Sequence, residues 1–328
     1  MTTDTMATGQ TRPQLVFVHG IGGPRDAAKE LADWTRALAE GAGAAGSAPE
    51  RAALAAALAA DSAFASYGDL FTANGAQGAG AGADEEQAVL TLDLLAEFLD
   101  ELATSPGHQD HRGLARVRAQ LSPQGEAQGV LNPVRHLNLM LASVAALPGL
   151  SWGARRLSRV ELLGILSQPG RYLRRAEPDA TGRTLDRRVR DRVLRCLDPS
   201  RPAIVVAHSL GTVVALEALA EYRGPVALLV TVGSPIATPG VVRPLIRPRP
   251  PATPETVAAW ADFRDSDDLV VPKRRLVKAV EPNSAGVRPT PHRLTSARFW
   301  SHDATTYLRR EEVAGPVLEA RAATAPRS

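Results

Sequence analysis

Two rhythms of apolar residues alternate along the chain. Ile204, Val205 and Val206 are consecutive and β-branched, which predicts a buried strand, and the Ala/Leu/Glu-rich run after Gly211 predicts a helix. Gln14 to His19 is a short apolar run that stops at Gly20, and Val226 to Val232 is another; both predict central parallel strands. Ser62 to Tyr67 and Trp260 to Arg264 predict shorter ones. Between them the spacing turns helical: Leu31, Trp34 and Leu38 within 26–40, more helix over 51–60, Leu90, Leu94, Leu95, Phe98 and Leu102 within 84–103, and Leu185, Val189, Val193 and Leu197 within 184–197. A final helix opens from Asp303 or Val313. Strands that alternate with helices predict an α/β chain with a doubly wound, mostly parallel sheet.

The rhythm breaks over 72–181. Thr72 to Ala83 is Gly/Ala-rich, 106–111 reads as a polar loop with two histidines, and two helices, 134–147 and 151–167, meet at Pro148-Gly149. The termini, 1–11 and 320–328, are expected to be flexible. Val241 to Pro254 reads as proline-rich loop.

Composition narrows the function classes. With 38 Lys and Arg against 35 Asp and Glu, the net charge of +3 is mild and argues against nucleic-acid binding. The arginines of 155–195 could face anionic lipid heads, but the apolar stripe of 184–197 assigns them to the solvent face. A single cysteine, Cys196, excludes an internal disulfide and fits a reducing compartment. The polar start, 1–10, lacks the apolar core of a secretory signal, and no run of about 18 apolar residues spans a membrane, so the expected location is cytoplasmic.

The candidate chemistry gathers around Ala207-His208-Ser209-Leu210-Gly211. If strand passes to helix within these residues the turn is sharp, Ser209 sits at its tip, and small residues at 207 and 211 let neighbours approach. A serine hydroxyl needs a base and a group that orients the base. Seven histidines are available; of these His208 adjoins Ser209 and is expected to project away from it, and His19 is expected to be a structural hydrogen-bonder. Four carboxylates, Asp262, Asp265, Asp267 and Asp268, compete for the acid, with a bound cation such as calcium as the lesser reading of the cluster. Asp69 reads as a turn residue.

Placed between strand and helix, residues 207–211 resemble the nucleophile elbow of the α/β-hydrolases, with Ala207 where the commoner pattern has Gly. Val18-His19-Gly20-Ile21-Gly22-Gly23 resembles the loop after that fold's first core strand, similar to the small bacterial lipases. Asp268-Leu269-Val270-Val271-Pro272 resembles its acid turn, and Thr231-Val232-Gly233-Ser234-Pro235 a turn that lines the acyl pocket. The resemblance implies a core of 12–71 and 182–315 and leaves 72–181 unmatched, a helical insertion that the core of that fold does not need and whose implied role is a cap over the site. It implies a Ser, acid, His order, with Ser209 as nucleophile, Asp268 ahead of Asp265 as acid, and His302 ahead of His292 as base. It also implies an oxyanion hole from the backbone N–H groups of Ile21 and Leu210. The implied activity is hydrolysis of a small-molecule or lipid carboxylic ester, without a cofactor or metal, the cap offering a surface for peripheral membrane contact. Amidase, peptidase or acyltransferase chemistry uses the same triad, and a non-catalytic interaction module is the alternative outside enzymes.

Overall fold

The computed structural model describes residues 12–20, 22, 24–43, 46–71, 81–103, 159–265, 268, 271, 275–295 and 302–323. Six strands, β1 (Gln14–Val18), β2 (Ser62–Ala65), β3 (Ala203–His208), β4 (Val226–Val232), β5 (Trp260–Asp265) and β6 (Thr290–Leu294), form one sheet in the order β2-β1-β3-β4-β5-β6. Every pair is parallel. The chain steps from β1 outward to β2 and then crosses back to lay β3 on β1's other side. The order therefore reverses between β1 and β3, the place where open α/β sheets hold their ligands, beyond the carboxyl ends of the strands.

Both faces of the sheet are covered, because the central strands are apolar at successive positions. Leu15, Phe17, Ile204, Val206 and Val230 point into one layer with α1 (Ala27–Ala42), α2 (Ala48–Ala59), α8 (Ala304–Leu308) and α9 (Glu311–Ala322). Val16, Val18, Val205, Ala207 and Leu229 point into the other, with α4 (Arg159–Arg174), α5 (Leu185–Leu194) and α6 (Leu210–Glu221). Burying one such Val, Leu or Phe is worth roughly 1.5–3 kcal/mol, so β1 and β3 are the mechanical centre. Local signals set the helix starts. Asp26 accepts from the N–H groups of Ala28 and Lys29, and Ser47 with Glu50 closes a capping box. α3 (Ala81–Ala103) packs against α4, turning Leu95 and Leu99 inward.

Several features depart from the sequence expectations. The helix expected over 151–167 runs on as α4 to Arg174, and α9 reaches Ala322 with Arg321 buried, inside the tail expected to be flexible. The polar stretch around His292, for which no strand is expected, is β6, an edge strand whose Thr290 and Pro291 are exposed; proline is tolerated there because among the described residues no further strand pairs with it. The proline-rich stretch carries one short helix, α7 (Val242–Leu245). Finally, the arginines do not all face solvent. Glu217 of α6 is buried and accepts from Tyr172 Oη at 2.6 Å, from Arg175 and from the Arg247 N–H at 2.8 Å, while Arg190 reaches Asp186 at 2.7 Å with its side chain 11% exposed. This network ties α4 and α5 to the helix behind Ser209. The expected helix at 134–147 and the loop at 106–111 lie outside the described residues.

Candidate active site

Ser209 is the single residue between β3 and α6. The helix begins at Leu210, earlier than the residue pattern suggests, so the turn is as short as a strand-to-helix passage can be. Ser209 takes φ 54° and ψ −131°, a conformation costing a non-glycine residue on the order of 1–3 kcal/mol, and is held by its N–H to the Val232 carbonyl at 3.1 Å. Immediately before a helix a serine side chain would ordinarily cap it; here it makes no cap bond. Its Oγ lies 2.8 Å from His302 Nε2 instead.

Two glycines make this turn sterically possible. A Cβ on Gly211 would stand 2.2 Å from the His19 carbonyl oxygen and 2.5 Å from that of Val18, and one on Gly20 would stand 2.7 Å from Ser209 Cβ. The ends of β1 and β3 therefore meet backbone to backbone, bringing the loop after β1 against the serine.

His302 lies in the turn before α8, fixed by its neighbour Asp303, whose carboxylate accepts from the N–H groups of Thr305 and Thr306. Its Nδ1 is 2.7 Å from Asp268 Oδ2. Asp268 follows β5 and is buried, and the same Oδ2 accepts from Tyr307 Oη at 2.6 Å. Burial, and then the Asp268 charge, push the Tyr307 phenol well above its ordinary value, so it stays a donor. Tyr307 Oη in turn accepts from the Asp265 N–H at 3.2 Å. Since Oδ2 takes bonds from imidazole and phenol together, the carboxylate cannot rotate without losing both. Sequence reasoning missed Tyr307; only its distance of five residues from His302, one helical turn into α8, hinted that it shares the site.

The two other histidines nearby stay neutral. His19 is pulled down to about 3 by burial and then by the Arg25 charge; its Nδ1 donates to the Gly20 carbonyl at 2.6 Å while Nε2 faces the Tyr67 N–H at 3.4 Å, the structural role expected of it. His208 does not project away from the serine. Strand side chains alternate, so His208 shares the face of Ile204 and Val206, the side on which α8 packs. Its ring lies 4.7 Å from that of His302, centroid to centroid, and its Nε2 is buried with no hydrogen-bond partner among the described residues. Burial, and then the neighbouring His302 charge, hold it well below the usual range.

The remaining candidates fall elsewhere. Asp262 is buried against Thr231 Oγ1 at 2.7 Å and raised to about 6 by burial. His292 stacks on Phe263 with ring centroids 4.6 Å apart, and Ser234 Oγ bonds Thr212 Oγ1 at 2.9 Å. Asp69 sits in a turn of 3-10 helix and pairs with Arg192 at 3.0 Å. The Leu210 N–H, first in α6, has no intrahelical acceptor by position and adjoins Ser209. Ile21 and Asp267 lie outside the described residues. Among the described residues no group of three or more His, Cys, Asp or Glu side chains could hold a metal ion. A cleft of 460 Å³ opens onto Ser209 and His302, with Arg25, Trp34, Thr305 and Arg309 in its walls. Among the described residues no helix is long and apolar enough to cross a membrane. No family model, curated protein or solved structure matches the chain.

Proposed function

We propose that the chain is a serine hydrolase of the α/β-hydrolase type that cleaves carboxylic esters or lipids through an acyl-enzyme. The observation that carries the reading is the continuous hydrogen-bonded line from Ser209 Oγ through both nitrogens of His302 to Asp268. Chain order supports it as well: nucleophile after β3, acid after β5, base after β6, the order of that fold. Ser209 Oγ attacks the ester carbonyl carbon as His302 Nε2 takes its proton, and Asp268 keeps Nδ1–H aligned and steadies the imidazolium. The oxyanion is met by the Leu210 N–H and, following the resemblance, that of Ile21. Collapse expels the alcohol with the proton from His302. Water then attacks the acyl-serine with the same imidazole as base, releasing the acid and restoring Ser209.

A panel of nitrophenyl esters of graded acyl length tests this. Wild-type protein should turn over part of the panel, with an optimum that sizes the acyl site, and Ser209→Ala should abolish it. Hydrolysis that persists in Ser209→Ala would refute the assignment.

A further inference from the structure

Gln168 belongs to α4, the last helix of the insertion, and is 6% exposed. Its carboxamide lies flat against one peptide residue of the loop after β1: Oε1 accepts from the Gly22 N–H at 2.8 Å and Nε2 donates to the Gly22 carbonyl at 3.1 Å. Gly22 N can only donate and Gly22 O can only accept, so the two bonds fix which end of the amide is which. Two residues earlier, Gly20 packs against Ser209 so closely that a Cβ there would stand 2.7 Å from Ser209 Cβ. The loop is thus held from both sides, by the nucleophile's turn at Gly20 and by the insertion at Gly22, with Ile21 between them in sequence. Other anchors of α4 lead away from this loop. Arg171 bonds the Phe71 carbonyl at 2.6 Å and Glu177, and Tyr172 and Arg175 hold Glu217 of α6.

We propose that Gln168 is a positioning residue through which the insertion sets the oxyanion-binding loop against Ser209. The inference rests on the hydrolase reading above. A loop rich in glycine has little stiffness of its own, and its donor serves catalysis only when already aimed at the developing charge. A bidentate amide contact on the neighbouring peptide supplies that aim. The cap then does more than cover the site: undocking α4 would release the loop and lower turnover.

The test compares Gln168→Ala, Gln168→Glu and Arg171→Ala in the full chain, measuring kcat and KM on an ester the wild type hydrolyses, affinity for a trifluoromethyl ketone that forms a tetrahedral adduct on serine, and thermal stability. Misplacement by about 1 Å costs roughly 100-fold in rate, so Gln168→Ala should lose about 10- to 100-fold in kcat with KM within about threefold, and its affinity for the ketone should fall in parallel with kcat/KM. Gln168→Glu keeps the acceptor for the Gly22 N–H but loses the donor, and should fall between. Arg171→Ala should keep most of its turnover. An active wild type with kcat unchanged in Gln168→Ala and Gln168→Glu overturns this inference alone, as does an equal loss in Arg171→Ala. A wild type inert toward both ester and ketone overturns the hydrolase reading and this inference with it.

Discussion

Gly211→Ala adds one methyl group at the point where the helix after Ser209 crosses the end of β1. The new carbon would stand 2.2 Å from the His19 carbonyl oxygen, 2.5 Å from that of Val18 and 2.8 Å from the His19 carbonyl carbon. All three are main-chain atoms at the end of β1 and the residue after it, so no side chain can swing aside. Reaching an ordinary contact needs a separation of about 1 Å between β1 and the start of α6. Overpacking a tight site costs about 1–3 kcal/mol, and a clash of backbone on both sides belongs at the upper end. That corresponds to a Tm lower by roughly 3–5 °C, at about 1.5 °C per kcal/mol for a chain of 328 residues. The same movement draws Gly20 and the Leu210 N–H apart around Ser209, and 1 Å of misplacement lowers turnover about 100-fold. Gly315→Ala is the matched control: in helix α9 a Cβ would meet nothing within 4 Å. It should be neutral or gain a few tenths of a kcal/mol, since alanine favours helix by up to about 1 kcal/mol and the following proline offsets part of that. Urea and thermal unfolding of both variants, with ester turnover, decide the matter. A Gly211→Ala protein as stable and active as wild type would refute the backbone-to-backbone account of the turn.

Among the triad candidates, His302→Ala and Asp268→Asn should lower ester turnover by about three orders of magnitude or more, while His292→Ala and Asp265→Asn stay within about tenfold; the reverse ranking, read from kcat, would contradict the assignment. His19 should make the fold acid-sensitive. Its folded value of about 3 lies below the unfolded value of about 6.5, so below pH 6.5 the unfolded chain binds the extra proton and stability is lost as pH falls toward 3. At pH 5 the loss is about 2 kcal/mol. Asp262, raised to about 6, acts in the opposite sense between about 3.8 and 6. The readout is therefore the difference between wild type and His19→Gln: unfolding free energies at pH 7.5 and 5 should fall by about 2 kcal/mol more in the wild type, and equal falls would refute the buried neutral imidazole.

The central strands and Ser209 at a strand-to-helix junction were legible because each depends on local pattern: apolar runs bounded by glycine, with small residues where backbones meet. Asp268 and His302 were legible through motif resemblance and chain order. What escaped was set by tertiary contact. β6 is short, polar and interrupted by Pro291, since an edge strand buries only Leu294 and needs little apolar sequence. The position of His208 could have been read by carrying the two-residue alternation of Ile204 and Val206 one step further. The expectation of a wet arginine face failed at Arg190, which bonds the buried Asp186 of its own helix at 2.7 Å and approaches Glu217 of another helix at 3.4 Å, a partner no local pattern reveals. Gln168 carried no signal of its own and Tyr307 only its closeness to His302, each acquiring its role from a partner remote in sequence.

The most direct test is covalent. Wild-type protein incubated with a fluorophosphonate probe and examined by intact-mass and peptide mass spectrometry should carry a single adduct at Ser209, lost in Ser209→Ala and greatly slowed in His302→Ala. A folded wild type that takes up no probe, or takes it up on another residue, would contradict the claim that Ser209, His302 and Asp268 form an activated nucleophile.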